Sequence, residues 1–248
     1  MLGGFIVYQL FFTPDWFNGW DLVFEGISLI IALLVAGHSW KIYKVSSEAK
    51  FKYFSLAFIL ISLGFVFKLI THGVLYYSSL QNIADAVLGP VVNTVTNGGG
   101  VFYRDLFYRG GFFLEMVTML GGWLLIFFVS QKSRSRLTKF YEVSQITLFI
   151  YLIGLISLVA SFKYFVFYLT GMVILGMVVL NYYKNYLNTN KSNNALLVMD
   201  GFLLILVGQL FFSFVFIWEE MYVLGEVFML IGFLVLLYVY RKITKVAY

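Results

Sequence analysis

Cysteine is absent from this sequence, and charged residues make up only 12% of its 248 positions. Without cysteine the chain forms no disulfide bond, no thiolate metal site and no cysteine nucleophile. Soluble globular domains carry about 25% charged residues, so the charge content excludes that class. Hydrophobic residues account for 61% of the chain. The sequence therefore predicts a single polytopic membrane domain over residues 1–248.

The short motifs of common enzymes and cofactor sites are also missing. The chain has no HExxH zinc motif, no GxSxG nucleophile elbow and no Walker phosphate loop. Its two histidines, His38 and His72, fall at opposite membrane faces of the predicted helices, which argues against a shared haem. No lysine lies between Met221 and Tyr240 to carry retinal. We therefore expect a non-enzymatic protein with no catalytic residue, metal or cofactor.

Long apolar runs dominate what is present. A helix of about 20 apolar residues spans the ~30 Å hydrocarbon core of a bilayer. Seven such runs occur, at about residues 22–40, 53–76, 111–130, 141–161, 165–183, 195–217 and 221–240. The expected fold is an all-α membrane protein, a seven-transmembrane-helix bundle. A short interfacial helix within residues 1–20 precedes it, and a long outer loop, residues 77–110, separates the second and third helices.

Basic residues set the predicted orientation. Thirteen of the 17 lysines and arginines lie in residues 41–52, 132–139, 184–191 and 241–245. Lysine and arginine stay on the cytoplasmic side of short loops, so these four segments are placed inside. This predicts an outer N-terminus, a cytoplasmic C-terminus and residence in the plasma membrane. Because topology explains the net charge of +5, we expect lipid contact and no nucleic-acid binding.

Ionisable residues inside the predicted helices are candidates for function, because charges are costly in a bilayer. Five lie one to two turns from the outer ends and form the candidate ligand- or ion-binding set: Glu25, Lys68, His72, Glu115 and Glu226. Either they converge on the bundle axis, with Lys68 paired to glutamate, or each extends separately to the headgroups. Near the inner face, His38 and Asp200 form a candidate structural polar pair, the alternative being exposure at the interface.

The predicted outer loop supplies a candidate partner surface. A connection of this length is commonly functional or a binding surface. Its charged and aromatic residues near the third helix are Tyr103, Arg104, Asp105, Tyr108 and Arg109. These residues predict contact with other membrane or cell-surface protein subunits.

The segments Ser39–Lys44 and Lys52–Phe58 resemble the first hairpin of seven-helix membrane modules found in archaeal and bacterial sensory proteins. Such modules often precede a cytoplasmic output domain. This sequence ends at Tyr248, soon after the last predicted helix. The resemblance therefore implies that any output passes through a separate partner, and it assigns no sensory residue.

Two functions follow from these features. The first is a non-enzymatic, receptor-like membrane protein that senses a ligand or docks as a subunit of a larger membrane assembly. The alternative is a small ion- or proton-coupled transporter or channel that uses the outer carboxylates.

Overall fold

The structure, a computed structural model, describes residues 13–76, 100–131 and 164–247. Its helices, after a 3-10 turn at Asp15–Phe17, are α1 (Trp20–Ser46), α2 (Ala49–Tyr76), α3 (Gly100–Ser130), α4 (Tyr164–Asn188), α5 (Asn193–Ser213) and α6 (Glu220–Ala247). Across these ranges, six helices are long and apolar enough to cross a membrane, and no strand occurs. The chain is therefore an all-α, multi-pass membrane protein.

These six helices correspond to six of the seven predicted spans. The remaining predicted helix, residues 141–161, lies outside the described residues, as do residues 1–12 of the predicted interfacial helix and residues 77–99 of the predicted outer loop. The seventh span therefore stays a prediction. Helix α5 ends at Ser213, before the predicted end at residue 217. Hydrogen-bonded turns follow it, in which the Phe214 N–H donates to the Phe211 carbonyl and the Ile217 N–H donates to the Phe214 carbonyl.

The start of α3 differs from the prediction. The helix begins at Gly100 instead of near Gly111, so Tyr103, Arg104, Asp105, Tyr108 and Arg109 lie on helical backbone and not in a loop. The charged and aromatic composition of this segment suggested a surface connection. However, residues 101–109 contain neither proline nor glycine, and nothing in their backbone chemistry stops a helix.

The described helices form a closed ring. Each helix packs against its neighbour in chain order, and α6 also packs against α1. The interior is lined by large side chains, whereas many leucines and isoleucines point outward, as expected for a surface in contact with lipid. Ring closure brings α1, the first described helix, next to α6, the last one.

Helix α1 shows how the sequence selects the inner face. Its buried residues recur every three or four positions and include Asp21, Glu25, Ser28, Ala32, Val35 and Ser39. Exposed residues on the other side are Val23, Ile27, Ile30 and Leu34. Residues three and four apart share one face of a helix. In α1 the buried face therefore combines polar and small or apolar side chains, whereas the face toward lipid is apolar.

Close packing of α5 on α6 depends on glycine. A Cβ atom added at Gly232 would lie 2.7 Å from the Gly201 carbonyl oxygen and 3.0 Å from the Ile205 nitrogen. Both are backbone atoms, so the helices would have to separate. We expect Gly232→Ala to lower the free energy of unfolding by about 1–3 kcal/mol, measured by thermal or denaturant unfolding in detergent.

Gly176 of α4 is the matched control for this substitution. No atom lies within 4 Å of a Cβ placed there. Alanine is favoured over glycine in a helix by about 1 kcal/mol, so Gly176→Ala should leave stability unchanged or raise it slightly. Equal losses in the two variants would contradict the proposed backbone contact.

Candidate functional site

Three pairs of polar residues, each four positions apart, meet at one end of the ring. Asp21 and Glu25 lie in the first turns of α1, and Tyr222 and Glu226 in the first turns of α6. Lys68 and His72 lie near the end of α2. Four-residue spacing places both members of a pair on one helix face, and all six side chains are buried. We call Asp21, Glu25, Lys68, His72 and Glu226 the charged cluster.

Lys68 connects three helices at the centre of the cluster. Its Nζ atom lies 2.8 Å from Glu25 Oε1 on α1 and 2.9 Å from Glu226 Oε1 on α6. The ammonium group also lies 5.7 Å from the centre of the Phe212 ring and 5.5 Å from that of Tyr222. Lys68 is 3% exposed, so these partners take the place of water around its charge.

Glu25 Oε1 is shared by three groups. Besides Lys68, it lies 3.2 Å from His72 Nδ1 and accepts a 3.4 Å hydrogen bond from the Tyr222 hydroxyl. One carboxylate oxygen of α1 therefore contacts both α2 and α6. Its second oxygen, Oε2, is buried without a hydrogen-bond partner in the described part of the chain.

Asp21 is held by the start of α1. The backbone N–H groups of Gly19 and Leu22 both donate to Asp21 Oδ1 at 2.9 Å. Gly19 has φ of 90°, a conformation that glycine adopts without steric penalty. The other oxygen, Oδ2, lies 3.5 Å from His72 Nδ1 and has no hydrogen-bond partner among the described residues. The helix start thus fixes one oxygen and directs the other into the cluster.

Negative charge exceeds positive charge at this level of the bundle. Glu115 of α3 is also buried and interacts electrostatically with Lys68 and His72. The buried ionisable residues are then four acids, one lysine and one histidine, with a formal charge of −3 when the histidine is neutral. Among the side chains whose burial the structure describes, no other charged one is buried. Such an excess favours binding of a cation.

The interior beyond the cluster is filled by aromatic rings, which we call the aromatic core: Phe54, Phe58, Phe65, Trp123, Phe202, Phe233 and Tyr240. Phe65 lies one turn from Lys68 on the side away from the cluster. The Phe233 ring centre lies 5.7 Å from that of Phe65 and 6.2 Å from that of Trp123. Phe54 stacks on Tyr240 nearer the far end, with ring centres 4.8 Å apart. Within the described helices, these rings lie between the cluster and the opposite end of the bundle.

The sequence-predicted residues divide into three groups. The structure brings Glu25, Lys68, His72 and Glu226 into direct contact, with Glu115 nearby. It forms no ion pair between His38 and Asp200, each of which is partly exposed; α1 packs between α2 and α6, whereas α5 packs between α4 and α6. The structure does not describe the side chains of residues 103–109, which form the candidate partner surface.

Two members of the site were missed by sequence reasoning. Asp21 and Tyr222 each lie four residues before a glutamate of the cluster, so helix periodicity is the signal that could have identified them. Comparison of the chain with protein-family models, curated proteins and solved structures finds no match.

Proposed function

We propose that this protein is a non-enzymatic, receptor-like membrane protein that senses a small cation at the charged cluster. The observation that carries the proposal is Lys68 held between Glu25 and Glu226, with carboxylate oxygens left over around it. Ionisable residues buried within membrane helices mark ligand and ion sites. The resemblance of the first hairpin to sensory seven-helix modules supports the same class of function.

The aromatic core favours sensing over transport. A transporter must give its bound ion access to both sides of the membrane, commonly through broken helices near the midplane. Here α1, α2 and α6 run unbroken past the cluster, and packed rings fill the interior beyond it. An ion- or proton-coupled transporter is the second candidate, favoured by the density of buried carboxylates.

The proposed topology places the cluster at the cell surface. In it, residues 141–161 form a seventh span, the N-terminus lies outside and the C-terminus is cytoplasmic, because most basic residues then face the cytoplasm. The protein resides in the plasma membrane, and the cluster opens toward the outer side. Other membrane subunits bind either the segment around residues 103–109 or the cytoplasmic ends of the helices.

The ion pairs of Lys68 supply a means of signalling. A cation that binds Glu25 competes with Lys68 for the same carboxylate, so Lys68 shifts its interaction toward Glu226. This weakens the connection between α1 and the α2–α6 pair. A ligand changes a conformation only through a difference in its affinity for two states. In this mechanism that difference is the presence or absence of the Lys68–Glu25 pair, and α6 carries the change to Arg241 and Lys242.

A cation-binding assay with Glu226→Gln tests this proposal. The substitution removes one negative charge and leaves Lys68 to compete for Glu25 alone. We expect cation affinity to fall tenfold or more, about 1.4 kcal/mol or greater. The measurement is the thermal unfolding shift of the full chain in lipid nanodiscs, titrated with Na⁺, K⁺, Mg²⁺, Ca²⁺, Mn²⁺ and Zn²⁺.

Glu219→Gln is the matched control, since Glu219 is exposed just before α6; its response should equal that of the unmodified protein. An equal response in Glu226→Gln would contradict the proposal. Uptake of the same cation into reconstituted vesicles, abolished by Glu226→Gln, would replace sensing by transport.

A further inference from the structure

We infer that Asp21, Glu25 and His72 ligate a divalent transition-metal ion of the Zn²⁺, Mn²⁺ or Fe²⁺ class. This assigns a chemical identity to the cation, and it rests on the function proposed above. It differs from the sequence-based expectation of no metal, which considered neither Asp21 nor the closeness of α1 to α2.

The spacing of the three donor groups fits one metal ion. One ligand atom from each residue lies within 4.8 Å of the other two. His72 Nδ1 is 3.2 Å from Glu25 Oε1 and 3.5 Å from Asp21 Oδ2. Metal bonds of about 2.0–2.2 Å at tetrahedral angles place neighbouring ligand atoms about 3.3–3.6 Å apart. The two distances from His72 Nδ1 are close to that separation, and all three ligand atoms lie within 4.8 Å of one another.

The carboxylates are oriented and incompletely used. Asp21 Oδ1 is held by two backbone N–H groups, and Glu25 Oε1 by Lys68 and Tyr222. Contacts of this kind fix ligand direction around metals. Asp21 Oδ2 and Glu25 Oε2 are buried and make no hydrogen bond within the described ranges. Buried acceptors without partners are destabilising. A metal ion bound by Asp21 Oδ2 and by Glu25, with Oε2 joining or replacing Oε1 as the ligand atom, would satisfy both.

A protonated His72 is the competing explanation for this arrangement. It would neutralise one charge and could donate from Nδ1 to Glu25 Oε1 or Asp21 Oδ2, but Glu25 Oε2 would still lack a hydrogen bond within the described ranges. A divalent ion brings the formal charge of the six buried ionisable residues from −3 to −1 and uses the free oxygens. Because Ca²⁺ and Mg²⁺ prefer all-oxygen sites, a histidine ligand selects the transition metals.

The arrangement also suits sensing. Three protein ligands leave at least one coordination position for water or another ligand. Lys68 retains Glu226 when Glu25 turns toward the metal, so its charge stays paired. The metal is therefore a candidate for the event that releases α1 from Lys68.

Metal titration of the full chain tests the inference. The protein is purified in mild detergent through a tag that contains no histidine, stripped with chelator and titrated with Co²⁺ and Zn²⁺. We expect one ion per chain, with visible Co²⁺ absorption and displacement by Zn²⁺. Asp21→Asn and His72→Gln should each weaken binding at least 100-fold. His38→Gln, which changes the only other histidine of the chain, should leave binding unchanged.

Folding of each variant is checked by size-exclusion chromatography. If His72→Gln fails to fold, the unmodified protein still answers the question through the ¹⁴N couplings of bound Cu²⁺, which should persist in His38→Gln. Loss of the metal in His38→Gln, or retention in His72→Gln, overturns the metal site. Stabilisation by Na⁺ or K⁺ alone overturns it while leaving the proposed sensing function standing. No response to any cation overturns both.

Discussion

Replacing Lys68 with methionine should lower the free energy of unfolding by about 3–5 kcal/mol, the range measured when one partner of a buried ion pair is removed. Methionine keeps nearly the length and volume of the side chain, so the change acts through charge. Glu25 and Glu226, both fully buried, would lose the cation that lies between them. Chemical or thermal unfolding in detergent, followed by circular dichroism, measures the effect.

Lys184→Met is the control for Lys68→Met, because Lys184 lies exposed near the end of α4 and its loss should change stability by less than about 0.5 kcal/mol. Adding Glu226→Gln to Lys68→Met removes one of the two stranded carboxylates. The double variant should therefore be more stable than the sum of the single losses predicts. Additive losses, or a loss no larger than that of Lys184→Met, would show that Lys68 does not hold the cluster together.

The helices themselves follow closely from the sequence. A run of apolar residues long enough to cross a bilayer leaves helix as the only structure that satisfies every backbone group. The position of Lys68 and His72 on one face of α2 likewise follows from their four-residue spacing. These features are local, so they require no knowledge of which helices touch.

The partners of each charge do not follow from local pattern. Glu25 and Glu226 are separated by most of the chain, and they meet on Lys68 only because α6 closes the ring against α1. The sequence places His38 and Asp200 at a common depth as well, yet no ion pair joins them and each is partly exposed. Shared depth therefore does not by itself predict a contact, because the contact also depends on which side chains point into the interior.

The two other errors have physical causes of their own. Asp21 lies in the first turn of α1, where the helix dipole favours an acid without any partner inside the bundle, so its position alone does not indicate a buried contact. Its Oδ1 accepts from the backbone N–H groups of Gly19 and Leu22, and its Oδ2 faces His72. The start of α3 was missed because charge and aromatic content do not determine where a helix begins. The Gly98-Gly99-Gly100 run marks that point better than Gly110-Gly111 does.

Phe233→Ala should destabilise the protein by about 3–5 kcal/mol, the usual loss for truncating a buried phenylalanine. The ring is fully buried, with centres 6.2 Å from Phe58, 5.7 Å from Phe65 and 6.2 Å from Trp123. Unfolding in detergent measures the loss. The adjacent Leu234 is 47% exposed on the lipid side, so Leu234→Ala should lose far less.

The same variant separates sensing from transport. A cavity lined mainly by aromatic and aliphatic groups stays free of water, so ion flux through vesicles that contain Phe233→Ala should stay at the level of the unmodified protein. If flux rises while Leu234→Ala leaves it unchanged, the ring is a gate on a path from the charged cluster across the membrane. The cluster would then be one station of a transporter, because a receptor requires the aromatic core to remain closed while the cation binds and leaves from one side.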